Sequence, residues 1–171
     1  MLNLFVNTWG NYNENGADGG QWITLPMDAD ELEEVLENIA AAMGDEDPEW
    51  CIHDWEYTGE IELGDIDEND NIEELNERCL EAENLEEWEI EEIAAAMDAF
   101  GYEFSEAMER QQQGYFTFYP GQDLEDVAEE LINECYDLPE FALRYFDYEA
   151  FARDLGYDGY TETKYGVICD N

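Results

Sequence analysis

The sequence predicts an α+β protein built from three small units in series: a small β-sheet with one helix over residues 1–65, an acidic helical domain over 66–111, and a mixed α/β unit over 112–171. Three observations carry this reading. Stretches that alternate apolar and polar residues, the period of a half-buried strand, lie near both ends of the chain. Runs with apolar residues three and four apart, the period of one helix face, fill the rest. Segments rich in Gly, Asn and Pro separate them. The composition supports folding despite the charge: 44% of the 171 residues are hydrophobic and 14% aromatic, whereas acidic disordered chains are poor in aromatics.

Residues 2–9 (LNLFVNTW) read as a strand, 10–20 (GNYNENGADGG) as a loop, and 21–25 (QWITL) as a second strand stopped by Pro26. Asp28, with Glu31 three residues on, reads as the N-terminal cap of a helix. Its buried stripe is Leu32, Val35, Leu36, Ile39, Ala40 and Met43. After Gly44 and an acidic turn, residues 50–57 (WCIHDWEY) form a third strand, with Trp50, Ile52 and Asp54 on one face and Cys51, His53 and Trp55 on the other. In the middle unit Ile72, Leu75 and Cys79 mark one helix. A second spans about 85–100 with acids around much of its circumference, and a short one follows from Ser105. Residues 114–119 (GYFTFY) are a strand ending at Pro120. The cleanest helix covers 123–136, with Leu124, Val127, Ala128, Leu131, Ile132 and Cys135 inward. Pro139 opens a helix, another runs over 148–156 and stops at Gly156, and 160–163 with 166–169 close the chain as a hairpin. The near-repeat ENIAAAM (37–43) and EEIAAAM (91–97) reads as coincidence between two amphipathic helices.

Charge narrows the functions. The chain has 48 Asp and Glu, 5 Lys and Arg and one His, a net charge of −43, and the three units carry −17, −15 and −11. The charge therefore coats the molecule and is not an acidic tail. Such a surface repels nucleic acid and anionic membranes. Lys164 is the only lysine and no Gly-rich phosphate loop precedes it. No apolar run approaches the ~18 residues of a membrane span, and no basic segment precedes an apolar core at the N-terminus. Cys51, Cys79, Cys135 and Cys169 lie far apart with no CxxC pair, so the expected compartment is a reducing cytoplasm.

Candidate chemistry is thin. The segment 65–76 places Asp65, Asp67, Asn69 and Asn71 near calcium-loop positions. It has Asp70 where such a loop needs Gly and Asn76 where it needs a bidentate Glu. His53 with a cysteine is a conceivable nucleophile–base pair, but a structural or surface histidine is the expectation. Zinc would need more His and Cys at tighter spacing. Carboxylate pairs suited to glycoside hydrolysis carry no specificity in a chain with this many acids. No catalytic residue, metal or cofactor is expected.

The acidic helix faces are the informative feature. The candidate partner-binding surface is Asp30, Glu33, Glu34 and Glu37; Glu73, Glu74, Glu77, Glu81, Glu86 and Glu87; and Asp123, Glu125, Asp126, Glu129, Glu130 and Glu134. Like charges at i,i+4 cost about 0.2–0.5 kcal/mol a pair, and lysines that would relieve this are missing. Duplex DNA carries one charge per ~1.7 Å of axis, so 43 charges correspond to roughly 73 Å of duplex, about 21 base pairs. Side chains at i,i+4 stand about 5–6 Å apart, close to phosphate spacing along a strand. An acidic helix surface can thus offer a DNA-binding cleft what a phosphate backbone offers it. The alternatives are an acidic chaperone or inhibitor of other basic DNA-binding proteins, and a halophilic soluble protein.

The string LPEFALRYFDYEAFARDL (138–155) resembles the antirestriction motif of the ArdA-type antirestriction proteins, and TWGNYNENGADGGQWITLP (8–26) resembles that family's opening. Asn11 stands where a Lys is often found before the loop tyrosine. The resemblance implies a DNA mimic, carried by mobile elements, that fills the DNA-binding groove of type I restriction–modification enzymes. It also implies an elongated homodimer of three small domains acting in the host cytoplasm. Within the motif, Leu138, Pro139, Tyr145, Phe146, Asp147, Tyr148, Glu149, Phe151, Arg153 and Asp154 are candidates for the dimer seam. Two acidic bodies join through a patch that is apolar and locally less negative. The competing reading is an ordinary core in which Arg144 and Arg153 form ion pairs with Asp147, Glu149 and Asp154.

Overall fold

The computed structural model describes residues 1–171. The architecture is α+β, with eight helices and two three-stranded antiparallel sheets. The chain forms two compact units, Met1–Leu85 and Glu86–Asn171. The middle stretch 66–111 is shared between them, since its first helix packs into the first unit's core and the next two belong to the second unit.

In the first unit β1 (Leu2–Thr8) is the central strand, flanked by β2 (Gln21–Leu25) and β3 (Trp50–Tyr57). Leu2, Leu4 and Val6 alternate inward and are buried together with Ile23, Leu25 and Ile52. A bulge breaks the alternation in β3: Phe5 faces Asp54 while Val6 faces Ile52, which leaves His53 as the extra residue. Cys51 and Ile52 are consequently both buried, where regular pleating would have separated them. Across the sheet lies α2 (Ala29–Met43), burying Leu32, Leu36, Ile39 and Ala40, with α3 (Ile72–Ala82) adding Ile72, Leu75 and Cys79 to the same core.

The expected loop at 10–20 is in part a helix, α1 (Trp9–Asn15). Side chains compensate for its weak helix formers. Thr8 Oγ1 accepts from the Asn11 amide at 3.1 Å. The fully buried Asn7 accepts from the Thr8 amide and Asn11 Nδ2, both at 2.8 Å, and donates to the Gly16 carbonyl at 3.1 Å. A Cβ added at Gly20 would lie 2.7 Å from the Phe5 ring, so that ring would have to move aside.

The second unit's sheet has the order β4 (Phe116–Pro120), β6 (Gly166–Asp170), β5 (Tyr160–Thr163). Helix α4 (Glu87–Phe100) buries Ile93 and three consecutive alanines, Ala94 to Ala96, and α5 (Phe104–Gln112) buries Phe104, Ala107 and Gln111. Helix α6 (Leu124–Cys135) and α8 (Tyr148–Tyr157) pack through Val127, Ala128, Ala152 and Leu155 against Val167, and the one-turn α7 (Glu140–Leu143) lies between them in sequence. Gly156 does not stop α8, which runs through it to Tyr157; the φ of +100° falls at Gly159, beyond the Asp158 cap. No helix is long and apolar enough to cross a membrane.

Candidate functional site

Of the chain's Asp and Glu side chains none is buried, and all are exposed except the half-buried Asp45, Asp70, Glu89, Glu91, Glu92, Glu130 and Asp170. The helical period produces this directly. In α2 the acids Asp30, Glu33, Glu34 and Glu37 are exposed, Glu33 and Glu37 flanking the buried stripe, and Asp30 and Glu31 sit in the first turn, where the helix dipole favours them. Asp28 occupies the cap position, but its side chain makes no capping hydrogen bond, contrary to the expected capping box.

In α3 the cap is Asn71, whose Oδ1 accepts from the Glu74 amide at 3.0 Å. Glu73, Glu74, Glu77 and Glu81 point outward. Asn76 interrupts the buried stripe for a structural reason: it accepts from the Met27 amide and donates to the Met27 carbonyl, both at 2.8 Å. That pair holds α3 against the entrance of α2. It brings Glu33 and Glu37 to the same groove as Glu73 and Glu77. Asp30 and Glu34 line a separate shallow depression with Asp28 and Glu31.

The acids of α4 are unequal. Glu86 and Glu87 are exposed at its start, where the Glu86 amide donates to Glu89 Oε2 at 2.8 Å. Glu89, Glu91 and Glu92 are half-buried, and burial pushes the Glu92 carboxyl above its ordinary range, with a hydrogen bond to Gln111 pulling the other way. In α6, Asp123 caps the helix by accepting from the Glu125 and Asp126 amides, both at 2.9 Å. Glu125, Asp126, Glu129 and Glu134 are exposed, whereas Glu130 is half-buried and accepts from Gln122 Nε2 at 2.8 Å.

The motif segment is mixed. Tyr145 is 77% exposed beside Phe141 at 73%, their rings 5.3 Å apart. Phe146, Tyr148 and Phe151 form a half-buried ring cluster, and Phe151 packs against the α6–α8 core. Leu138 is half-buried, while Pro139, Asp147, Glu149, Arg153 and Asp154 are exposed. Asp147 caps α8 by accepting from the Ala150 amide at 3.0 Å. Arg144 pairs with Glu140 at 2.6 Å, a partner one helical turn away, and not with the acids that follow it.

The other candidates lose their chemistry on inspection. Cys51 Sγ lies 3.4 Å from His53 Nε2, but burial, helped by the charge of Glu68, pushes the Cys51 thiol up to about 11. A nucleophilic thiolate is therefore disfavoured. The His53 ring packs against Tyr12, their centres 4.1 Å apart and their planes tilted by 35°. In the 65–76 segment Asp67 and Asn71 accept backbone amides and Asn76 is buried against Met27, so the loop's oxygens do not converge. No group of three or more His, Cys, Asp or Glu side chains is placed to hold a metal ion. One cluster escaped sequence reading: Asp170 accepts from Tyr102 Oη at 2.5 Å and from Arg110 Nη1 at 2.9 Å, with the guanidinium 4.6 Å from the Tyr102 ring centre. Arg110 also pairs with Glu106 at 3.4 Å, one helical turn back.

The sequence matches the family described as Antirestriction protein (ArdA) over residues 4–169, nearly the whole chain. No curated protein matches it.

Proposed function

Because the chain belongs to the ArdA antirestriction family, we propose that this antirestriction protein is a non-enzymatic DNA mimic. It occupies the DNA-binding groove of type I restriction–modification enzymes in the cytoplasm. The observation that supports this best is the outward placement of acids on three separate helices: Asp30, Glu33, Glu34 and Glu37 on α2, Glu73, Glu74, Glu77 and Glu81 on α3, and Glu125, Asp126, Glu129 and Glu134 on α6. Each set stands on a rigid element whose opposite face is buried, so the charges keep fixed spacing as phosphates do. Asp123, Glu86 and Glu87 extend these sets at helix starts, and Glu130 contributes least because it is half-buried. Phosphate contacts supply much of the affinity of DNA binding and little of its sequence information, so a mimic needs no base edges.

The protein acts as a homodimer in this reading, joined through the second unit. Phe141 and Tyr145 are the most exposed apolar side chains of the motif segment, and two of the chain's five basic residues, Arg144 and Arg153, lie in the same segment. Competition with duplex DNA for a purified type I enzyme tests the function. The protein displaces the duplex and blocks the enzyme without being cut or modified. Simultaneous binding of duplex and inhibitor to one DNA groove would refute it.

A further inference from the structure

One groove in the first unit has an apolar floor between two acidic rims. Its volume is about 980 Å³, and it runs along α2 from Ala29 to Gly44. At ~1.5 Å per residue, the 15 residues of α2 supply roughly 22 Å of wall, enough for a partner helix of about four turns. Leu32, Leu36 and Ala40 form the floor, with Trp50 and Leu80 completing it. Glu33 and Glu37 line one side, Glu73 and Glu77 the other.

We propose that this groove receives an amphipathic helix of the target enzyme, its apolar stripe on the floor and its Lys or Arg flanks against the two rims. The proposal rests on reading the α2 and α3 acids as partner-facing. Charge selects the occupant. A second copy of this chain would bring acidic helix faces against acidic rims, and nucleic acid or an anionic membrane would be repelled likewise. An apolar floor also asks for more than loose cations. The major groove of B-DNA likewise admits an α-helix between two phosphate rows. Here carboxylates stand in for the phosphates, and leucines take the place of base edges. A helix that reads DNA would therefore find both its charge partners and a surface for its apolar side chains.

The test uses the full chain and two synthetic 15-residue peptides, matched in length to α2. One carries a leucine stripe flanked by lysines, and the other has the same lysines with serine for leucine. Titration calorimetry should show the leucine peptide binding at least tenfold more tightly, with a gain of helical circular dichroism. Ala41→Trp, at an exposed position on the groove wall, should weaken it at least tenfold. Ala42→Trp, exposed but outside the groove, should leave it unchanged. Equal binding of the two peptides, or equal behaviour of the two tryptophan variants, overturns the proposal. If Ala41→Trp misfolds, the peptide pair alone decides. Should the chain still displace duplex DNA from the enzyme while ignoring the leucine peptide, the groove is wrong and the mimicry stands. Should it fail to displace DNA, the mimicry itself is wrong.

Discussion

Residues 1–85 set 25 acids against a single cation, Arg78, whereas residues 86–171 set 23 against Arg110, Arg144, Arg153 and Lys164. Even Arg78 donates from Nη1 to the Leu63 carbonyl, at 2.9 Å. In the second unit Arg110 bonds to Asp170 and Glu106, and Arg144 to Glu140. The cores differ in the same sense. The first unit buries mainly Leu and Ile, while the second buries Ala94, Ala95, Ala96, Ala107, Ala128 and Ala152 beside fewer large side chains. Exposed aromatics are commoner in the second unit, at Trp88, Tyr115, Tyr136, Phe141, Tyr145 and Tyr157, than in the first, at Tyr12, Trp22 and Trp55. A large aliphatic core lets the first unit carry uncompensated charge. The second has smaller buried side chains, more ion pairs and more exposed apolar surface.

The largest expected effect is on the first core. Leu4→Ala, at a fully buried central-strand position, should cost about 2–5 kcal/mol in denaturant unfolding. In the second unit Ala95→Gly, buried in mid-helix, should cost about 1 kcal/mol. A reversal of these two values would break the comparison of cores. Next comes charge. Changing Glu33, Glu34, Glu37, Glu73, Glu74 and Glu77 together to Gln should weaken inhibition roughly hundredfold, at about 0.5 kcal/mol per exposed site. Each single change should cost only about twofold. One substitution that abolished inhibition without unfolding the protein would show a localised site instead.

The smallest effect is that of Glu92→Gln. The Glu92 carboxyl is raised chiefly by burial, so ionising it opposes folding. Its stabilising contribution is complete below the ordinary carboxylate range and is lost as pH rises through its elevated value. Glu92→Gln should therefore raise the Tm at pH 7, and the gain should vanish near pH 4. Gln111 Oε1, buried without a hydrogen-bond partner, offers the new amide an acceptor.

The outward faces of α2, α3 and α6 were legible because one helical period fixes both the buried stripe and its opposite side. Other features depended on partners distant in sequence. Helix α1 exists because Asn7 and Asn11 bond to the loop closing at Gly16 and Asp18, which composition reads only as turn signals. The alternation of β3 failed at His53, where the bulge against Phe5 and Val6 inserts one residue. The strings at 37–43 and 91–97 show the same limit: Ala41 and Ala42 are exposed in α2, while their counterparts Ala95 and Ala96 are buried in α4. Of the acidic candidates only Glu130 is half-buried, and in the motif Leu138, Phe146, Tyr148 and Phe151 are half-buried as well. The groove was not legible, because it is set by Asn76 reaching Met27, 49 positions away.

The central claim is that the acids act collectively as phosphates do, and the salt dependence of binding to a purified type I enzyme tests it most directly. For duplex DNA, log K falls linearly with log[salt], with a slope of about −0.9 per phosphate neutralised. A steep linear fall is expected for this protein too, with a slope that flattens as the α2 and α3 glutamates are replaced by glutamine. An affinity that ignores salt, or a slope untouched by six neutralisations, would contradict it.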